Sequence, residues 1–370
     1  RQRAALRCRR PAPLRWFSPR LTHATQPHMS NFLSDQHQHK LRGKLNALYF
    51  PVALRPIFYM SSLRSARQLH LGTAEGFQGH PTPVRRYRVV VNLRDDHVLG
   101  VVSRDYRLVT HKQAVEAGQE AFAQLFPSAS ASDFKLYQVT APSTGSYCYV
   151  DLIHAQYRID VWKQETWLPY VRVTNSYNTT RALRYEIGFV RKACSNGTIF
   201  DKDTIKVTFS HTKDEISSDD VRRAIRLDGR FSKLQVLESE FRKHMKTLRD
   251  AKVPRLYALP VVARALDLSF KVDSGSADKR KREEAKLVDF KETAGPLVKK
   301  YYAEMGPTAY ALFNAMTEYA SRPRRKGDAL YIASRQHRVG KWLRGYVRQA
   351  RKRTFDLDAY VEDYLPLFTS

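Results

Sequence analysis

Cys194 has the surroundings most suggestive of chemistry in this chain. Arg191 and Lys192 precede it, and a thiolate beside two cations has a lowered pKa. His211 could take the thiol proton, and Asn175 or Asn196 could orient the imidazole. The plainer reading makes Cys194 a small buried thiol and His211 a structural hydrogen-bonder. No local cysteine-protease signature surrounds the pair, so no catalytic residue is assigned. Zinc needs closely spaced pairs of Cys or His; Cys148 lies far from Cys194, and Asp151, His154 and Asp160 are scattered. Neither phosphate-binding glycine motif occurs, and Gly72–Gly79 follows no strand. The expectation is a protein without metal or cofactor.

Binding chemistry has more support. Asn175-Ser176-Tyr177-Asn178-Thr179 and Cys194-Ser195-Asn196-Gly197-Thr198 are dense in small polar groups. Such side chains hold turns by bonding their own backbone. Alternatively, both loops face one groove beside Arg172, Arg181, Arg184, Arg191 and Lys192 and bind phosphate or ribose oxygens. Arg335–Arg353 carries eight Lys or Arg and no acid. On a helix, Lys341, Arg344, Arg348 and Arg351 or Lys352 form a basic stripe, with Arg335 and Arg338 before it. Val339, Trp342, Leu343, Tyr346, Val347 and Ala350 form an apolar side. Arg324 and Arg325 add a basic turn. Such a stripe tracks phosphates, and nearby aromatics can stack on bases. The competing readings are a solvated face with core aromatics, or a membrane-surface or calmodulin-target-like helix.

Several short motifs recur in a fixed order: Val173–Leu183, Arg191–Thr198, Ser210-His211-Thr212 and Ala311–Ser321, the last holding Asn314, Thr317, Glu318 and Tyr319. Together they resemble the domain of unknown function 932 family, the phage/plasmid-like proteins, over about residues 100–321. The resemblance implies a gene of a phage, plasmid or integrated element. It supplies no reaction. The motif residues it singles out are Asn175, Ser176, Arg191, Cys194, Asn196, Gly197, His211, Asn314, Thr317, Glu318 and Tyr319.

Composition sets the limits. The chain has 370 residues, 42% of them hydrophobic, a net charge of +28 and three cysteines. That permits a real core, favours a polyanionic partner and argues against an acidic binding surface or a disulfide framework. The simplest compartment is a reducing cytoplasm. No apolar run reaches the length of a membrane helix. Residues 1–59 hold eleven Lys or Arg and one acid, Asp35. They read as a leader outside the folded domain, with Met60 or Met29 as the start of translation; an organelle transit peptide has the same composition.

Periodicity then assigns elements. Arg88–Asn92 and Val98–Ser103 read as a hairpin; Thr110 caps a helix from His111 to about Phe126. Asp133–Thr140 and Ser146–His154 form a second hairpin. Leu168–Thr174, Leu183–Lys192 and Thr204–Phe209 complete the strands. Leu234, Leu237, Phe241, Met245 and Leu248 then recur at helical spacing, and Val221, Ile225 and Phe231 extend the pattern backward. This predicts an amphipathic helix over 217–250, capped by Ser217 or Ser218, long enough for a helical hairpin or a homo-oligomer contact. Pro254–Phe270, Lys279–Met305, Pro307–Tyr319 and Val339–Arg353 read as further helices.

The expected fold is α+β. A mixed or antiparallel sheet core with one early helix spans 60–212, and a helical region spans 213–370. The leading functional expectation is a non-enzymatic nucleic-acid-associated protein of a mobile element. It would bind single-stranded or gapped DNA in replication, recombination or maintenance. The alternatives are a hydrolase or nucleic-acid-modifying enzyme using Cys194 and His211, and a host-interaction or anti-defence protein.

Overall fold

The computed structural model describes residues 33–60, 81–123, 125–126, 130–162, 165–192, 196–199, 206–211, 234–272, 275–321 and 331–369. Cys194, Arg324, Arg325, residues 1–32 of the expected leader and the 217–233 part of the long helix lie outside them.

Two antiparallel sheets form the β half. Strands β1 (Val52–Met60), β2 (Pro81–Asn92) and β3 (Val98–Ser103) make a three-stranded sheet in that order. The larger sheet holds β4 (Phe134–Thr140), β5 (Tyr147–His154), β6 (Ile159–Trp162), β7 (Glu165–Ser176), β8 (Leu183–Arg191), β9 (Asn196–Ile199) and β10 (Lys206–Phe209). Its path is β10-β8-β7-β5-β4, with β6 paired to β7 and β9 to β8. Both faces of β7 are buried, so its sequence lacks the alternation of a half-exposed strand.

Helix α1 (Asp35–Leu48) precedes β1, and α2 (His111–Ala123) follows β3. Thr110 and Gln113 form a reciprocal cap on α2: the Gln113 amide donates to Thr110 Oγ1 at 3.1 Å and the Thr110 amide to Gln113 Oε1 at 2.9 Å. Gly118 lets α2 lie close against the large sheet, where a Cβ would stand 2.6 Å from Val173 Cγ2 and 2.9 Å from the Tyr185 ring. The helical half contains α3 (Leu234–Asp250), α4 (Arg255–Ala265), α5 (Ala277–Met305), α6 (Ala309–Ser321), α7 (Ile332–Ala350) and the short α8 (Leu357–Val361) and α9 (Pro366–Thr369). An α+β fold with antiparallel sheets and a helical C-terminal half is thus present.

Three expectations change. The first concerns the leader. Residues 35–60 form α1 and β1, and Leu41, Leu48 and Phe50 are buried. Gln38 acts like a residue of a neighbouring strand: its Nε2 donates to Leu136 O at 2.7 Å and its Oε1 accepts from Leu136 N at 3.0 Å. That closes the β4 edge where the β4–β5 register shifts. The basic, acid-poor composition of residues 33–59 reflects the outer side of α1, whose inner residues are too few to dominate it.

The second concerns the boundary at 212/213. One apolar core runs across it, with Trp167 of β7 against Phe241 of α3 (5.1 Å) and Phe313 of α6 (5.8 Å). The third concerns self-association. Phe241, Met245 and Leu248 are buried, and Phe241 packs on Phe189 at 4.8 Å. The buried residues of α3 are therefore spent inside its own chain, while 217–233 of the expected helix lie outside the described residues.

A chain starting at Met60 should lose several kcal/mol of stability, roughly 2 for each of Leu41, Leu48 and Phe50 removed from the core. It should melt well below the full chain or fail to fold. Equal melting temperatures would show that α1 and β1 are dispensable.

Candidate nucleic-acid interface

Arg191 closes β8 and Glu165 opens β7, and both are buried. Arg191 Nε donates to Glu165 Oε1 at 2.6 Å and Nη2 to Oε2 at 2.9 Å, a two-pronged pair. The Tyr310 hydroxyl of α6 donates to the same Oε1 at 2.5 Å. Burial, then the Glu165 charge, holds the Tyr310 pKa well above its usual range, so the hydroxyl stays a donor. Asn314 donates to Tyr310 O at 2.9 Å, and Thr317 Oγ1 to Asn314 O at 2.9 Å. Glu318 accepts from the Tyr301 hydroxyl at 2.6 Å and from Lys300 Nζ at 2.8 Å, both on α5. Tyr319 stacks edge-on against Phe290 at 6.0 Å. Glu318 and Tyr319 therefore lock α6 to α5, and Tyr310 holds α6 onto the sheet, while Asn314 and Thr317 bond the backbone of α6 itself. Asn196 and Gly197 pair through β9 with Arg191 and Val190, backing the same corner.

Asn175 and Ser176 serve a second junction, between the two sheets. Asn175 Nδ2 donates to Val109 O at 2.9 Å and lies 3.1 Å from His111 Nδ1. His111 Nε2 lies 2.9 Å from Gly145 O, which requires the proton on Nε2 and makes Nδ1 the acceptor. The Tyr177 ring stacks on His111 at 4.0 Å. Burial pushes the His111 pKa down to about 4. Ser176 bonds the Arg181 backbone, its Oγ donating to Arg181 O at 2.6 Å, and its own carbonyl accepts from the Tyr106 hydroxyl at 2.8 Å. His211 stacks on Tyr106 at 4.9 Å and holds Arg107 O at 3.1 Å. Of the two readings of the Asn/Ser loop, turn and junction chemistry accounts for its side chains.

The far face of the large sheet carries a buried charge row in which Arg172, expected in a phosphate-binding groove, is instead paired with Asp151. Asp151, Arg172 and Glu186 are register neighbours on β5, β7 and β8. Arg172 donates to Asp151 through Nε (2.7 Å) and Nη2 (2.6 Å). Burial alone would loosen the Arg172 proton, but Asp151 outweighs it and holds the guanidinium charged. Burial would likewise raise Glu186, but His337 of α7 at 3.4 Å, with Arg184 and Arg172, keeps its pKa lowered. An acid inside an apolar strand run, as in Val150-Asp151-Leu152 and Tyr185-Glu186-Ile187, was the available signal, because such a charge needs a buried partner.

Helix α7 carries most of the expected basic stripe. Trp342 is buried and stacks on Tyr346 at 4.8 Å, so the aromatics belong to the core. Lys341, Arg348, Arg351 and Lys352 are exposed. Arg335, Arg338 and Arg344 are corrected: each is only half-exposed and turned to the protein. Arg335 lies over the Tyr319 ring at 5.7 Å, and Arg338 donates to Leu266 O at 2.7 Å. Arg344 approaches His244 of α3, whose pKa is lowered by burial, then by Arg351 and Arg344. Arg351 reaches Thr247 at 3.3 Å, which sets α3 beside α7 and brings exposed Lys243 to the same side. Among the described residues, no three His, Cys, Asp or Glu side chains gather as a metal would require. No described helix is long and apolar enough to cross a membrane.

A family model described as a domain of unknown function, DUF932, matches residues 98–358. The match therefore extends beyond the recognised motifs to cover all of α7. No curated protein and no solved structure matches the chain.

Glu165→Gln should destabilise the fold by about 3–5 kcal/mol in chemical denaturation, because it strands a buried guanidinium. A loss below about 1 kcal/mol would contradict the lock. His111 gives a pH signature. The folded histidine stays neutral down to about 4, whereas the unfolded one protonates near 6.5. Stability is thus full above 6.5 and falls as pH drops through the window to 4, by up to about 3 kcal/mol from this group. His111→Gln should be less stable at pH 7 and flatter across that window; an unchanged slope would exclude His111 as its source.

Proposed function

We propose a nucleic-acid-binding, non-enzymatic role for this chain, which belongs to the DUF932 family. The observation that carries the reading is the outer side of α7. Lys341 and Arg348 on the helix, and Arg351 and Lys352 in the turn that follows it, are exposed, and the helix contains no acid. The inner side is anchored by Val339, Trp342, Leu343, Tyr346 and Val347, so the cations stand on a rigid element. Lys243 extends the ridge across α3, and Glu240 is the acid nearest to it on that helix. A ridge of this kind binds phosphates and releases counterions without reading sequence. The net charge of +28 acts over longer range to attract a polyanion.

The resemblance to phage/plasmid-like proteins supports a setting in a mobile element, with binding to single-stranded or gapped DNA during replication, recombination or maintenance. Phosphate contacts on α7 alone do not separate DNA from RNA, nor one strand from two.

Lys341→Ala/Arg348→Ala/Lys352→Ala should keep its melting temperature, because all three side chains are exposed. Its affinity for DNA and RNA should fall together, and the slope of log affinity against log salt should lose roughly 0.7–0.9 for each phosphate contact removed. Unchanged affinity and slope in the folded variant would remove α7 from the interface.

A further inference from the structure

Arg181 is a cation that the fold holds in one geometry and leaves without a counter-charge. Its Nε donates to the Tyr149 hydroxyl at 2.9 Å, and its Nη1 donates to Thr180 O at 2.7 Å. The guanidinium lies over the Tyr147 ring, 5.6 Å from the centroid. Its backbone is fixed as well: Ser176 Oγ donates to Arg181 O at 2.6 Å and accepts from Arg181 N at 3.2 Å. The turn leading into it is equally determined. Asn178 Oδ1 accepts from Thr180 N at 3.2 Å and from Thr180 Oγ1 at 2.6 Å, and Thr179 stands at a φ of 59°. Gly100 of β3 admits this turn, since a Cβ there would stand 2.5 Å from Asn178 Cα. The small polar side chains of the loop are thus used in the turn, and what they hold in place is Arg181.

None of these partners is an acid. Arg181 is exposed and has no ion-pair partner among the described residues. Arg172 makes the contrast: it lies 5.9 Å from the centroid of the Tyr149 ring, but Asp151 neutralises it. Holding a long side chain in one geometry costs rotamer freedom, and neutral acceptors at the surface offset little of that cost. The arrangement gains most when an anion takes the remaining edge of a guanidinium that is already oriented.

The site belongs to the side of the large sheet on which α7 lies. Tyr149 pairs with Thr174 and Thr174 with Arg184, next to the row of Asp151, Arg172 and Glu186, and Glu186 meets His337 of α7 at 3.4 Å. Tyr147 shares that face of β5. Its pKa is raised by burial and then by Tyr149; Arg181 opposes the rise and Tyr331 adds to it. Tyr331, the residue before α7, is therefore within electrostatic reach of the ring under Arg181.

We infer that Arg181 is a second phosphate contact, taking a backbone phosphate of a nucleic-acid strand, with Tyr149 as its positioning residue. The inference rests on the nucleic-acid reading above and carries the interface from α7 onto the loop between β7 and β8. Charge decides the occupant: an exposed guanidinium with only neutral partners attracts a phosphate, whereas a second copy of a chain of net charge +28 is repelled.

The test measures binding of the full chain to a labelled oligo-dT of roughly 20 nucleotides, longer than common single-strand sites, over a series of salt concentrations. Arg181→Ala should weaken binding about tenfold, the loss of one charge-assisted hydrogen bond. It should also reduce the slope of log affinity against log salt by about 0.7. Its melting temperature should match the wild type, because the side chain is exposed. Arg181→Lys should keep the slope but lose affinity, since an ammonium retains the charge without the planar fork. Tyr149→Phe removes the acceptor that aims Arg181; it should weaken binding less and leave the slope unchanged. A lowered melting temperature of Arg181→Ala with an unchanged slope would make Arg181 a structural residue and overturn the inference. Wild-type affinity and slope in Arg181→Ala, beside an impaired α7 triple variant, would overturn it and leave the α7 reading intact. Impairment of Arg181→Ala alone would keep the Arg181 contact and overturn the α7 reading. Absence of binding by the wild type would overturn both.

Discussion

Burying the Arg191 guanidinium would cost several kcal/mol if it stood alone. Glu165 and Tyr310 make it tolerable, and in doing so they decide how the two halves of the chain meet. The carboxylate comes from β7, the guanidinium from β8 and the hydroxyl from α6. Sliding α6 along the sheet would leave the Tyr310 hydroxyl buried without its acceptor, whereas sliding an apolar face would merely repack it. The apolar contacts of Trp167 with Phe241 and Phe313 supply much of the attraction; the charged lock supplies the register. Glu318 repeats the device one layer out, joining α6 to Lys300 and Tyr301 of α5.

The far face of the sheet uses the same physics with a different result. The cross-strand row Asp151–Arg172–Glu186 nearly neutralises itself, and His337 completes it from α7. That contact, together with the core position of Trp342 and Tyr346, fixes the rotation of α7 about its axis. The direction in which Lys341 and Arg348 face is therefore a consequence of buried interactions on the opposite side of the helix. A basic stripe on a loosely held helix would have to be ordered on binding; this one is already ordered.

The motif residues divide by location. Arg191, through Glu165 and Tyr310, holds the helical half to the sheet, while Glu318 ties α6 to α5 and Asn314 and Thr317 bond within α6. Asn175, Ser176 and His211, with His111, Tyr177 and Tyr106, hold the two sheets together.

Local pattern determined much of the fold by itself. The strands of β4, β5, β7 and β8, the Thr110 cap and the ends of α5 and α6 follow from periodicity, turn residues and capping, which act over a few positions. The basic, acid-free character of α7 is equally a property of sequence. For residues 33–59 the leader assignment failed because composition averages over both sides of an element: α1 is polar outside, and only Leu41, Leu48 and Gln38 reveal that it belongs to the core. The seam of α3 was legible as amphipathic, but its partner was not, since an apolar face fits its own sheet as well as a second copy. Which cations of the Arg335–Lys352 stretch remain exposed was likewise decided by neighbours distant in sequence, namely Tyr319, Leu266 and His244. Burial and pairing of charge depend on contacts between residues far apart in the chain. Only the packed tertiary structure brings those residues together.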